Sequence, residues 1–120
     1  MEKILKYDRF VNSLCSLLEQ DYDVLFTHVP IYSKRKRLVG EIDILALKDG
    51  YCDVYEVKCS PRVHKAKKQL RRLRKVMSLE SNLRGAFYYC GSSDFLHKLD
   101  DAKKSFESVD FSRFNMPFKA

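Results

Sequence analysis

No acidic residue occurs between Val24 and Gly40, and none between Val57 and Leu79. No apolar run approaches the ~20 residues that a membrane-crossing helix needs, which excludes that class of helix. The first residues, Met1 to Asp8, interrupt their apolar positions with charges of both signs, so the expectation is no secretory signal and a cytoplasmic location. Cys15, Cys52, Cys59 and Cys90 form no Cys-x-x-Cys pair, so the spacings of structural zinc sites and iron–sulfur clusters are missing. Reduced core thiols are the expectation for them. Internal repeats and low-complexity segments are absent too, and 120 residues suit one domain that buries about two thirds of its unfolded surface.

What fills the acid-free stretches is positive charge. Lys and Arg number 23 against 16 Asp and Glu, a formal net charge of +7. The first stretch holds Lys34, Arg35, Lys36 and Arg37; the second holds Lys65, Lys68, Arg71, Arg72 and Lys75 among others. Charge concentrated in this way suits a polyphosphate partner, because each neutralised phosphate releases condensed counterions. These nine residues are therefore the expected nucleic-acid contacts.

Between the stretches lies a hairpin signal. Two runs rich in Ile, Leu, Val and Tyr, Gly40 to Lys48 and Tyr51 to Lys58, flank Asp49-Gly50, a pair suited to the positive φ angles of a tight turn. Around it, three- and four-residue apolar steps predict a helix from Glu2 to Gln20 and a second one from Pro61 to Met77, with Ser60 as its N-cap. Val24 to Tyr32 reads as a strand, with Pro30 pointing to an edge or a bulge. Leu83 to Cys90 reads as a fourth strand, and the spacing of Phe95, Leu96, Leu99, Ala102, Lys103 and Phe106 predicts a third helix. The predicted order is α-β-β-β-α-β-α, an α/β domain whose strand–helix–strand passage implies a parallel pair. The segment from Asp110 to Ala120 shows no period.

Each strand of the hairpin carries a carboxylate among apolar residues. Alternation places Glu41, Asp43, Leu45 and Leu47 on one face of the first strand, and Cys52, Val54, Glu56 and Lys58 on one face of the second. Asp43 and Glu56, helped by the backbone carbonyl of Val57, are the expected ligands of a hard divalent cation, Mg²⁺ or Mn²⁺. Lys58 is placed to orient water or offset charge on a phosphate. A cross-strand ion pair accounts for the same three residues without any catalysis. His28, His64 and His97 read as satisfied or exposed side chains rather than ligands.

Gly40-Glu41-Ile42-Asp43 followed by Glu56-Val57-Lys58 resembles the core signature of the PD-(D/E)XK nuclease superfamily, with similarity to archaeal Holliday-junction resolvases and RecB-like nuclease domains. The resemblance spans about Asp8 to Cys90 and implies a restriction-endonuclease-like αβββαβ core, a mixed sheet flanked by helices, here followed by the extra helix and a tail over residues 92–120. It implies that Asp43 and Glu56 bind metal and that Lys58 is catalytic in a Mg²⁺-dependent endonuclease hydrolysing DNA. Structure-selective cutting of a junction, flap or branch by a homodimer is the expected activity; a non-catalytic binding module and an RNA-directed nuclease are the alternatives. Many members carry a Glu on the first helix, where this chain has Val11 at the aligned position. Glu19, Asp8 and Glu2 are the substitutes, Glu41 is a candidate near the ligands, and Gln69 matches the Gln of RecB-like members.

Overall fold

Asp49 (φ 49°) and Gly50 (φ 83°) turn the chain back on itself as their sequence predicts, pairing β2 (Leu38–Lys48) with β3 (Tyr51–Lys58) in antiparallel fashion. Around this hairpin the computed structural model describes residues 5–33, 35–77, 82–100 and 105–109. Its other elements are α1 (Lys6–Leu18), β1 (Val24–Tyr32), α2 (Val63–Met77), β4 (Leu83–Cys90), β5 (Phe95–Asp100) and β6 (Ser105–Val109). The six strands form one mixed sheet in the order β1-β2-β3-β4-β5-β6. Only β3 and β4 run parallel, because α2 carries the chain across the sheet between them. As Pro30 indicates, β1 is an edge strand, with a register shift at Ile31/Tyr32.

The helices take opposite faces. Val11, Leu14 and Leu18 of α1 pack with Ile44, Ala46, Tyr55, Val57, Phe87, Tyr89 and Leu96. Ala66, Leu70 and Leu73 of α2 pack with Ile42, Val54, Ala86, Tyr88, Cys90 and Leu99. Both helices thus bury the stripe that their periodicity marks, and every residue named is nearly or wholly removed from water. At the turn end of β3, Asp53 is 1% exposed; it accepts from Tyr22 Oη at 2.5 Å and from both Nε and Nη2 of Arg84. Tyr22 in turn meets Tyr55 Oη at 2.6 Å, and Tyr55 stacks on Phe87. An acid can be buried there because each of its oxygens has a donor.

Three expectations need correction. The third helix is instead a pair of strands: β5 returns antiparallel to β4 through the turn Gly91–Asp94, and β6 pairs antiparallel with β5. Phe95, Leu96 and Leu99 satisfy helical spacing, but as a strand they serve both faces, Phe95 and Leu99 joining the α2 side and Leu96 the α1 side. The free edge of β4 and the turn, with Asp94 at φ 52°, decide between the two periods. Second, α2 begins at Val63 rather than Pro61. The chain after Lys58 stays beside the end of β4, where Gly91 N donates to Lys58 O and Ser92 N to Cys59 O, and Arg62 N then donates to Tyr88 Oη. Third, the helix predicted over Glu2 to Gln20 is regular over Lys6–Leu18, and its first residues through Ile4 lie outside the described ones. So do Ala102, Lys103 and the segment from Asp110 onward. The four cysteines are free thiols, Cys52 and Cys90 buried.

Gly91 locks the two layers together. A Cβ at this position would run into the Phe10 ring of α1, while its N–H is held by Lys58. Gly91→Ala is expected to destabilise the fold by about 1–3 kcal/mol, as overpacking does. Thermal unfolding checks this, and an unchanged midpoint contradicts it.

Candidate functional site

The β2–β3 ladder runs from Lys48–Tyr51 to Ile44–Tyr55 and ends there. On the other side of β2, the pairs Thr27–Ile44 and Val29–Ile42 flank His28, whose φ of 54° is unusual for a residue with a side chain. The face pattern slips at the same level. Ile42 packs with the α2 side and Ile44 with the α1 side, so strict alternation does not hold through Asp43. The expected face shared by Glu41, Asp43, Leu45 and Leu47 is thereby overturned: Leu45 and Leu47 lie on the α2 side, whereas Asp43 reaches Tyr7 of α1.

In this gap the two predicted acids meet. Asp43 is 6% exposed and Glu56 4%. Tyr7 donates its hydroxyl to Asp43 Oδ1, and the amide of Val57 donates to Oδ2 at 2.7 Å. It is thus the N–H of Val57 that the structure brings to Asp43. Lys58 Nζ stands 3.0 Å from Glu56 Oε1. Burial raises the pKa of Asp43 despite the hydrogen bonds from Tyr7 and Val57. Burial first and the Asp43 charge second push Glu56 up to about 7, against the opposing pull of Lys58. Burial and the Asp43 bond also push the Tyr7 phenol far above its ordinary value, so it remains a donor. Buried beside each other, the two carboxyl groups both hold a proton more tightly than they would in water.

The remaining candidates separate clearly. Asp8 Oδ1 lies 3.7 Å from His28 Nε2, and Glu41 Oε1 lies 3.1 Å from His28 Nδ1, so both border the site through that ring. Glu19 caps the other end of α1, eleven residues from Asp8 and thus about 16 Å away along the helix. It is no partner of the acid pair. Glu2 is outside the described residues. Gln69 keeps a buried Oε1 without a hydrogen-bond partner, and among the described residues no bond joins it to Asp43 or Glu56. Lys65, Lys68, Arg71, Arg72 and Lys75 are all exposed on α2. Arg35, Lys36 and Arg37 are exposed in a turn closed by Ser33, and Lys34 lies outside the described residues. Gly40 of β2, three residues past that turn, lies against Leu73 of α2.

No family model and no curated protein matches this chain. The chemistry therefore rests on the donors themselves. Among the described residues no group of three or more His, Cys, Asp or Glu side chains gathers as a metal cage. Mg²⁺, however, is commonly held by one or two carboxylates with water and substrate oxygens completing the shell. Two adjacent buried carboxylates, Asp43 and Glu56, fit that mode. None of the helices among the described residues is long and apolar enough to cross a membrane.

Tyr7 and His28 are the site residues that the sequence does not announce. Tyr7 is the N-terminal member of the buried stripe continued by Val11, Leu14 and Leu18, and a phenol ending an apolar stripe is a signal for a polar contact beneath.

The raised Glu56 pKa sets a pH dependence. The native carboxyl keeps its proton up to about 7, whereas the unfolded one loses it from 4.5. Between those values the unfolded state binds fewer protons, so this group's contribution makes stability fall as pH rises, by at most about 3 kcal/mol, and level off above 7. Glu56→Gln is expected to remove that slope and to be the more stable protein at pH 8. Denaturant unfolding from pH 4.5 to 8 measures both; parallel curves for the two proteins contradict it.

Proposed function

We propose that this chain is a metal-dependent endonuclease of the PD-(D/E)XK superfamily, with a restriction-endonuclease-like core, that hydrolyses DNA phosphodiester bonds. The observation that carries this is the buried Asp43–Glu56 pair with Lys58 at 3.0 Å, lying where the β2–β3 ladder opens. A cross-strand salt bridge needs one acid and one base; a second buried acid beside them raises the electrostatic cost and calls for a further cation.

Asp43 and Glu56 would hold Mg²⁺ or Mn²⁺. Bound there, the ion supplies Lewis acidity toward a phosphate oxygen and acidifies a coordinated water. Lys58, partly accessible at the rim, offsets negative charge on the phosphate and positions the attacking water. The exposed cations of α2 and of the turn at residues 35–37 grip backbone phosphates without reading bases. So small a domain offers little surface for base readout, which favours selection by DNA shape such as a junction, flap or branch. One site cuts one strand, so paired cuts require two copies, and a homodimer belongs to the proposal.

Labelled linear, single-stranded, flap and four-way-junction DNA incubated with Mg²⁺ test the activity. Cleavage of a branched substrate is expected, with Lys58→Ala slower by about 10²–10³-fold, Asp43→Ala inactive, and binding retained in both. Binding without cleavage by the natural protein in either Mg²⁺ or Mn²⁺ would leave a non-catalytic module, and cleavage of RNA alone would redirect the substrate. Replacing Lys65, Lys68 and Arg72 together by Ala is expected to reduce the slope of log affinity against log salt by about 2–3. An unchanged slope would remove α2 from the interface.

A further inference from the structure

We propose that Tyr7 is a positioning residue for the cation site, fixing the Asp43 carboxylate in the orientation that leaves its remaining lone pairs for the cation. This rests on the metal reading given above and adds a role for α1, the element that lacks the expected acid at Val11. The χ2 torsion of an aspartate is soft and roughly two-fold, so hydrogen bonds rather than rotamer wells set the plane of its carboxylate. Asp43 has one donor on each oxygen, from different directions: Tyr7 Oη on Oδ1 and Val57 N on Oδ2. A carboxylate offers about four lone-pair positions, and these two donors occupy two of them. The other two remain for a cation.

Tyr7 is itself held. Its ring is half-buried against the α1-side core and lies 5.8 Å from the His28 ring at 48°. His28, itself exposed, lies between Glu41 at 3.1 Å and Asp8 at 3.7 Å, at the point where the ladder is interrupted. The chain Asp8–His28–Tyr7–Asp43 thus links the first turn of α1 to the acid pair. Partners of metal ligands in this position commonly change metal affinity by about 10–100-fold when lost.

The molecule contains its own control. Tyr22 donates to the buried Asp53 at 2.5 Å, at the opposite end of β3 from Lys58. Tyr22→Phe deletes an equivalent phenol–carboxylate bond away from the site, and in both variants Phe keeps the ring packing. Mn²⁺ affinity is measured by the electron paramagnetic resonance of free Mn²⁺ for the natural protein, Tyr7→Phe and Tyr22→Phe, with unfolding followed in the same samples. Tyr7→Phe is expected to bind Mn²⁺ 10–100-fold more weakly, with cleavage at saturating metal reduced less than affinity. Tyr22→Phe is expected to lose stability and keep its affinity within twofold. Equal Mn²⁺ affinity in Tyr7→Phe and the natural protein, or equal weakening in both variants, overturns the positioning role and leaves the nuclease proposal standing. No Mn²⁺ binding by the natural protein overturns both.

Discussion

Two carboxylates buried side by side are the constraint on which the middle of this sheet depends. Removing one ion from water costs several kcal/mol even after relaxation, and a second of like sign beside it adds repulsion. Asp43 and Glu56 are almost fully buried and adjacent, and the fold meets that cost with the Val57 amide and the Tyr7 hydroxyl on Asp43, Lys58 on Glu56, and a Glu56 carboxyl that burial keeps protonated up to about 7. The Val57 amide reaches Asp43 beyond the last β2–β3 pair, and this is why the opening of the sheet and the site coincide. Asp53 shows the contrasting solution. It is equally buried, but Arg84 and Tyr22 saturate it, and nothing about it calls for a further ligand.

Charge is partitioned around that centre. Residues that approach the acid pair from the α1 side are Tyr7 and, through His28, Asp8 and Glu41. The exposed face of α2 is lined by cations, and Arg35, Lys36 and Arg37 are exposed in the turn before β2.

The hairpin was legible because its signal is local: Asp49-Gly50 accommodates two positive φ angles, and the apolar runs on either side have strand length. The parallel β3–β4 pair and the edge position of β1 followed from the chirality of crossovers and from Pro30. Alternation brought Asp43 and Glu56 together, yet for an incomplete reason, since the parity it relies on slips between Ile42 and Ile44. Period-two logic assumes an unbroken ladder, and no local residue signal marks the break at His28. The segment after Gly91 failed differently. Phe95, Leu96 and Leu99 fit both periods, and the choice lay with the open edge of β4, a tertiary fact. Tyr7 went unread because its partner is 36 residues away in the chain.

If the acid pair is a cation site, the cation must displace the proton that burial and the Asp43 charge keep on Glu56 up to about 7, and this exchange is open to direct measurement. Calorimetric titration of Mn²⁺ at pH 6, repeated in buffers of different ionisation enthalpy, counts the protons released on binding. Release approaching one proton per ion, falling toward zero at pH 8 and absent in Glu56→Gln, is the result predicted. Binding without proton release at pH 6, or no binding at either pH, would contradict it.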